Sequence, residues 1–199
     1  IIAAEVYQIW KKEILLLDDE GNELLLPKTE QIPADFYRKG ETVRAVIERV
    51  DNTNNNPKII VSRTSENFLR RLFELEVPEI QDGIVEIVNI VREVGYRTKI
   101  SIKSKDPNVD ALGACVGTKG VRVNSIVYGL NGEKIDIIDY SDDPFEYIAR
   151  ALSPAKVISV IADGDEKTAK VVVPDYQLSL AIGKEGQNAR LAARLTGFK

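Results

Sequence analysis

The chain changes its hydrophobic period twice. Up to about residue 62, apolar and polar positions alternate over short stretches, and Ile1 to Trp10, Glu13 to Asp18, Glu23 to Pro27, Glu41 to Asp51 and Lys58 to Arg63 read as strands. Asp18-Asp19-Glu20-Gly21-Asn22 supplies a hairpin turn after the second, and Asn52 to Pro57 a polar one after the fourth. In the fourth, Val43, Ala45 and Ile47 form the apolar set against Arg44, Val46 and Glu48, an imperfect alternation suited to a barrel strand. Five strands in so short a stretch predict a small barrel. From Thr64 the spacing becomes helical, with Phe68, Leu69, Leu72, Phe73 and Glu76 on one period before Pro78 and Gly83 end the helix.

A second pattern follows, and it occurs twice. Ile84 to Glu93 and Arg97 to Lys103 alternate around Val94-Gly95-Tyr96 as a hairpin, Val109 to Val116 and Val121 to Leu130 read as short helices, and Glu133 to Tyr140 as a strand. Together with the helix from Thr64, the order is helix, strand, strand, helix, helix, strand. It restarts at Asp143-Pro144: a helix Phe145 to Leu152, a hairpin of Val157 to Ala162 and Thr168 to Val173 turning at Asp163-Gly164-Asp165, then helices Tyr176 to Ile182 and Gln187 to Leu195. Lys99-Ile100-Ser101-Ile102 answers Lys170-Val171-Val172-Val173, and Gly117-Thr118-Lys119-Gly120 answers Gly183-Lys184-Glu185-Gly186. The offsets, 71 and 66 residues, differ by a loop five residues shorter in the second copy.

Composition removes several classes of chemistry. The 199 residues contain no histidine, which excludes imidazole bases, nucleophiles activated by histidine and histidine metal ligands. The one cysteine, Cys115, excludes an internal disulfide and any Cys-x-x-Cys site; in a short apolar helix with no base to activate it, it reads as a buried structural thiol. Acidic clusters at Asp18 to Glu20, Asp142-Asp143 and Asp163 to Glu166 sit at predicted turns and helix starts, where aspartate is favoured for local reasons, so no metal site is expected. The longest apolar run, Ala111 to Gly117, which contains Leu112 to Gly117, is far short of the roughly 18 residues of a membrane span. Neither a signal-peptide pattern nor a methionine is present, which reads as a fragment of a longer protein.

The net charge of −4 excludes a bulk-basic nucleic-acid binder, yet it is unevenly spread. Residues 1–62 carry 8 basic and 11 acidic side chains, net −3; Leu112 to Gly132 holds Lys119 and Arg122 and no acid; Tyr176 to Lys199 holds four bases against Glu185. Those two basic stretches contain the Gly-x-x-Gly loops, each placed between two short helices. Gly129-Leu-Asn-Gly132 has the same spacing but falls where a helix must stop, and reads as a C-cap and turn. Paired glycines let a backbone approach a phosphodiester closely, with loop amides and the next helix N-terminus toward the phosphates. Tyr7, Trp10, Phe36 and Tyr37 are candidates for base stacking on the barrel, Trp10 equally a candidate for its core.

The residues also carry a family resemblance. Lys39-Gly40-Glu41-Thr42-Val43 through Pro57-Lys58-Ile59-Ile60-Val61-Ser62-Arg63 resembles the end of an S1-type OB-fold, and 64–199 looks like two type II KH domains. With Glu76 to Gly83, Asp106 to Gly117, Asn131 to Ile138, Ala151 to Val157 and Gln177 to Asn188, the succession is similar to the NusA family of bacterial transcription factors. The resemblance implies an all-β OB-fold (S1-type) barrel over 1–62, followed by α+β type II KH domains over 63–142 and 143–199 in a rigid elongated array, the last lacking its final strand after Gly197. It further implies a cytoplasmic, monomeric protein, without cofactor, metal or enzymatic activity. Such a protein binds nascent single-stranded RNA and works with RNA polymerase and other Nus factors in pausing, termination and antitermination. The family's N-terminal polymerase-binding domain would be missing. Carried over by position, the RNA contacts are Gly117, Thr118, Lys119, Gly120 and Arg122, with Gly183, Lys184, Glu185, Gly186, Gln187, Asn188 and Arg190. Gly183→Asp is expected to weaken RNA binding while leaving the fold intact. Glu13 to Asp18 lacks the aromatic pair common in S1 modules, which implies little stacking by the barrel.

Other readings fit less well. A polynucleotide phosphorylase tail has one KH domain placed before S1, and a KH-bearing GTPase needs a phosphate-binding Gly-x-x-x-x-Gly-Lys-Ser/Thr loop that is absent here. A pure protein-docking platform, with the acidic barrel as the contact, would lack the steep salt dependence of phosphate binding.

Overall fold

The computed structural model describes residues 1–53 and 55–199. Its contacts separate into two compact units, Ile1–Leu75 and Glu76–Lys199.

In the first unit, β1 (Ile2–Trp10), β2 (Glu13–Leu17), β3 (Glu23–Leu26), β4 (Thr42–Thr53) and β5 (Asn56–Ser62) close a barrel in the order β1-β2-β3-β5-β4. Alternation does the sorting: Ala4 and Val6, Ile14 and Leu16, Leu24 and Leu26 point inward and pack with Val43, Ala45 and Val61. Closure is made by the parallel pair β3–β5, with Leu24 opposite Ile59. Two departures from the sequence pattern have local causes. The register of β4 on β5 shifts between Ile47 and Arg49, so Val46 is buried and Ile47, expected inward, is exposed. The turn expected over Asn52 to Pro57 is shorter, because Asn52 pairs with Pro57 and Thr53 with Asn56; Asn54 lies outside the described residues. Around Asp18 the hairpin forms as expected, its carboxylate accepting from the amides of Glu20 and Asn22.

Helix α1 (Glu66–Glu76) follows, burying Phe68, Leu69, Leu72 and Phe73. Its entry is tied down by Arg63, whose guanidinium donates to Asp35 at 2.6 Å and to the carbonyl of Arg44, and lies over the Phe68 ring.

The second unit contains both copies of the repeat. After a single-turn helix α2 (Pro78–Gln81), the first copy has β6 (Val85–Glu93) antiparallel to β7 (Arg97–Ser104), which runs parallel to β8 (Lys134–Asp139). Helices α3 (Ala111–Val116) and α4 (Val121–Gly129) connect β7 to β8. In the second copy, α5 (Pro144–Ala151) precedes the hairpin of β9 (Ser159–Asp163) and β10 (Thr168–Val172), then α6 (Leu178–Ile182) and α7 (Gln187–Thr196). The strand expected from Val157 begins at Ser159, and the helix expected from Tyr176 begins at Leu178 behind a 3-10 turn. Lys199 already pairs with the backbone of Lys167 and Ala169, as Lys134 pairs with Tyr96 in the first copy.

The copies share a core. Val91 and Ile138 of the first pack with Tyr147, Ala151, Leu152, Leu191, Ala192 and Leu195 of the second, so α7 covers β6 and β7. This explains why Lys99 and Lys170, equivalent by repeat, differ in fate. Lys99 is fully buried, its Nζ donating to Asp136 at 2.8 Å and to the carbonyl of Ser153 at 2.7 Å, whereas Lys170 is exposed. Burial lowers the pKa of Lys99, and the Asp136 carboxylate opposes that shift.

Candidate nucleic-acid interface

Both Gly-x-x-Gly loops adopt one backbone. Gly117 has φ 79°, ψ 169°, Lys119 φ 54°, ψ 27° and Gly120 φ 76°, ψ 14°; Gly183, Glu185 and Gly186 have 80°/169°, 55°/26° and 77°/10°. In each, the second glycine amide donates to the first glycine carbonyl, at 3.0 and 3.1 Å, and the chain then enters a helix of nine or ten residues. The third residue of each loop is left-handed, a conformation that Lys119 and Glu185 hold at some strain. Thr118, Lys119, Lys184 and Glu185 are exposed, and a helix start lies directly behind them.

The four glycines are not equivalent. A Cβ on Gly183 would stand 2.7 Å from the Asn188 amide nitrogen, and one on Gly117 2.8 Å from Arg122 Cγ. At Gly186 the nearest atom is the Arg190 guanidinium at 3.7 Å, and at Gly120 the end of the Asn124 side chain at 3.0 Å. The expectation that Gly183→Asp spares the fold is therefore corrected: that position abuts backbone, while a Cβ on Gly186 has room and one on Gly120 needs only the end of the Asn124 side chain to shift.

Three of the expected contact residues have partners within the protein; Asn188 is buried, whereas Arg122 is part-exposed and Arg190 exposed. Arg122 donates to Glu79 of α2 at 2.9 Å and to the carbonyl of Ala114 at 2.7 Å. Asn188, its equivalent, is buried and donates through Nδ2 to the carbonyls of Leu152 and Ala181. Each residue locks its loop from beneath, one by an ion pair and one by an amide. Arg190 grips Glu93 of the first copy with two guanidinium nitrogens and the carbonyl of Glu185 with a third. The Glu93 hydrogen bond, more than the charges of Glu93 and Glu185, raises its pKa. Gly117, Thr118, Lys119, Gly120, Gly183, Lys184, Glu185, Gly186 and Gln187 form the loops proper. Their holding partners Glu79, Glu93 and Leu152 carried no sequence signal, since two of them lie far along the chain and the third acts through its carbonyl.

Cys115 is fully buried, and burial, then the Glu79 charge, pushes its thiol up to about 12. Native protein at pH 8 is expected to be unreactive toward a thiol reagent, with stoichiometric reaction only on unfolding. Rapid native labelling would contradict that placement. On the barrel, Trp10, Tyr7 and Phe36 are exposed at 63%, 53% and 75%, which removes Trp10 from the core; Tyr37 is half-buried with its hydroxyl on Asp35. Among the described residues no helix is long and apolar enough to cross a membrane.

Known proteins agree with this architecture. The family model for the NusA-like first KH domain matches residues 63–140, and that for the NusA-like second KH domain matches 144–199. Proteins named transcription termination/antitermination protein NusA are 56% identical in Bacillus subtilis over 89% of this chain, 52% in Mycobacterium tuberculosis over 92%, and 44% in Thermus thermophilus over 96%. The chain spans about half the length of these relatives, covering 48%, 53% and 51% of them. Two matched KH domains in tandem behind a β-barrel, with this identity across nearly the whole chain, mean that the chain belongs to the NusA family of transcription termination/antitermination proteins.

Proposed function

We propose that this chain is the RNA-binding part of a NusA-type factor, holding nascent single-stranded RNA on two clamps. The observation that carries the reading is the coincidence of the two Gly-x-x-Gly backbones, preserved although their middle residues differ in charge. A backbone shape repeated while side chains diverge points to a ligand recognised through its own backbone, as a KH loop takes about four nucleotides. Thr118, Lys119, Lys184 and Gln187 line the RNA with the four glycines, while Arg122, Asn188 and Arg190 fix the loops. With RNA so held, the full-length protein acts with RNA polymerase and other Nus factors on pausing, termination and antitermination, as a cytoplasmic monomer with no chemistry of its own.

Fluorescence anisotropy with single-stranded RNA about a dozen nucleotides long, duplex RNA and single-stranded DNA, at two salt concentrations, tests this. Preferential binding of single-stranded RNA that weakens steeply with salt is expected. Preference for duplex, or affinity indifferent to salt, would overturn it.

A further inference from the structure

A groove of about 390 Å³ lies beside the second loop, and half of it belongs to the first copy of the repeat. Gly183, Lys184 and Gln187 form one wall; Tyr96, Arg97 and Lys134 form the other. Tyr96 is 60% exposed at the tip of the β6–β7 hairpin, and Lys134 is exposed. Resting on the clamp reading above, we propose that this groove is a base-stacking subsite, in which the Tyr96 ring receives the base of a single-stranded RNA nucleotide adjoining those held by the second loop.

The hairpin is held rigidly enough to serve. The Gly95 amide donates at 2.7 Å to Glu133, a carboxylate buried against Arg92, and the Lys134 amide donates to the Tyr96 carbonyl. Its relation to the loop is fixed as well. Glu93, which accepts the Tyr96 amide through its carbonyl, takes Arg190 through its carboxylate, and Arg190 holds the Glu185 carbonyl of the loop. Platform and clamp are thus joined by one run of hydrogen bonds. The charges suit a nucleotide: the described residues lining the groove include Arg97, Lys134 and Lys184 and no acid, Lys134 and Lys184 form no ion pair among the described residues, and the exposed Glu185 carboxylate lies on the loop outside that lining. An aromatic ring flanked by unpaired ammonium groups takes any base by its π-face and its phosphate by charge. A strand lying on the loop has this groove as its continuation, because the two share Gly183 and Lys184.

The test uses the full chain and a twelve-nucleotide RNA carrying 2-aminopurine at one position at a time. Quenching at a particular position is expected, abolished by Tyr96→Ala and kept by Tyr96→Phe. Since stacking on an aromatic is worth about 1–3 kcal/mol per base, Tyr96→Ala is expected to weaken binding about 5- to 150-fold and Tyr96→Phe less than about twofold. Undiminished affinity and unchanged quenching in Tyr96→Ala, with RNA still lost in a Gly120→Asp, Gly186→Asp protein, would overturn the subsite and leave the clamps standing. Absence of RNA binding by the unsubstituted chain would overturn both.

Discussion

A protein carrying Gly120→Asp and Gly186→Asp is expected to bind single-stranded RNA at least about 100-fold more weakly than the unsubstituted chain, with its thermal melt shifted only slightly. Each substitution puts a carboxylate where the proposed clamp would hold a phosphate, and a like-charge contact at 4 Å costs about 4 kcal/mol at the effective dielectric of a protein surface. A Cβ on Gly186 meets nothing closer than 3.7 Å and one on Gly120 only the movable end of Asn124, whereas the first glycines abut Asn188 and Arg122. Both positions are left-handed, φ 76° and 77°, which aspartate tolerates better than most residues. The matching Gly120→Asn, Gly186→Asn protein shares the strain and bulk without the charge, so the affinity gap between the two, read by anisotropy at low salt and narrowing at high salt, isolates electrostatics. Equal RNA affinity in the Asp protein and the unsubstituted chain would remove the loops from the interface.

Strands, helices and both loops were legible because local periodicity and turn chemistry dictate them. Ala4, Val6, Ile14, Leu16, Leu24 and Leu26 alternate and are buried; Phe68, Leu69, Leu72 and Phe73 follow a helical period and are buried. What escaped was set by distant partners. Ile47 lies at a β-bulge whose register depends on β5, and Tyr96 gains its groove only when α7 packs on the first copy. Arg122, Asn188 and Arg190 sat at the right positions but face Glu79, Leu152 and Glu93, which lie 43, 36 and 97 residues away. A polar residue after a phosphate-binding loop is indistinguishable in sequence from one that braces the loop. Equally, Lys99 and Lys170 look alike in the repeat, and only the cover supplied by the second copy separates a buried cation from a solvated one.

An ion pair buried within the first copy bears on stability. Arg92→Met is expected to destabilise the second unit by about 3–5 kcal/mol, read as a lower urea midpoint, because it strands a buried carboxylate. Arg92 and Glu133 are 1% and 0% exposed as side chains, and the guanidinium holds both carboxylate oxygens at 2.9–3.2 Å. Glu133 also accepts from the Gly95 amide and, at 2.8 Å, from Thr98 Oγ1, so it closes the β6–β7 hairpin. Removing the acid too, as in Arg92→Met with Glu133→Leu, relieves the stranded charge but leaves the Gly95 amide and the Thr98 hydroxyl without their acceptor. The double variant is therefore expected to recover only part of the loss, each orphaned donor costing about 1–3 kcal/mol. Full recovery would show that the ion pair alone matters and that the hairpin carrying Tyr96 does not depend on Glu133. A midpoint unmoved by Arg92→Met would contradict the burial of the pair.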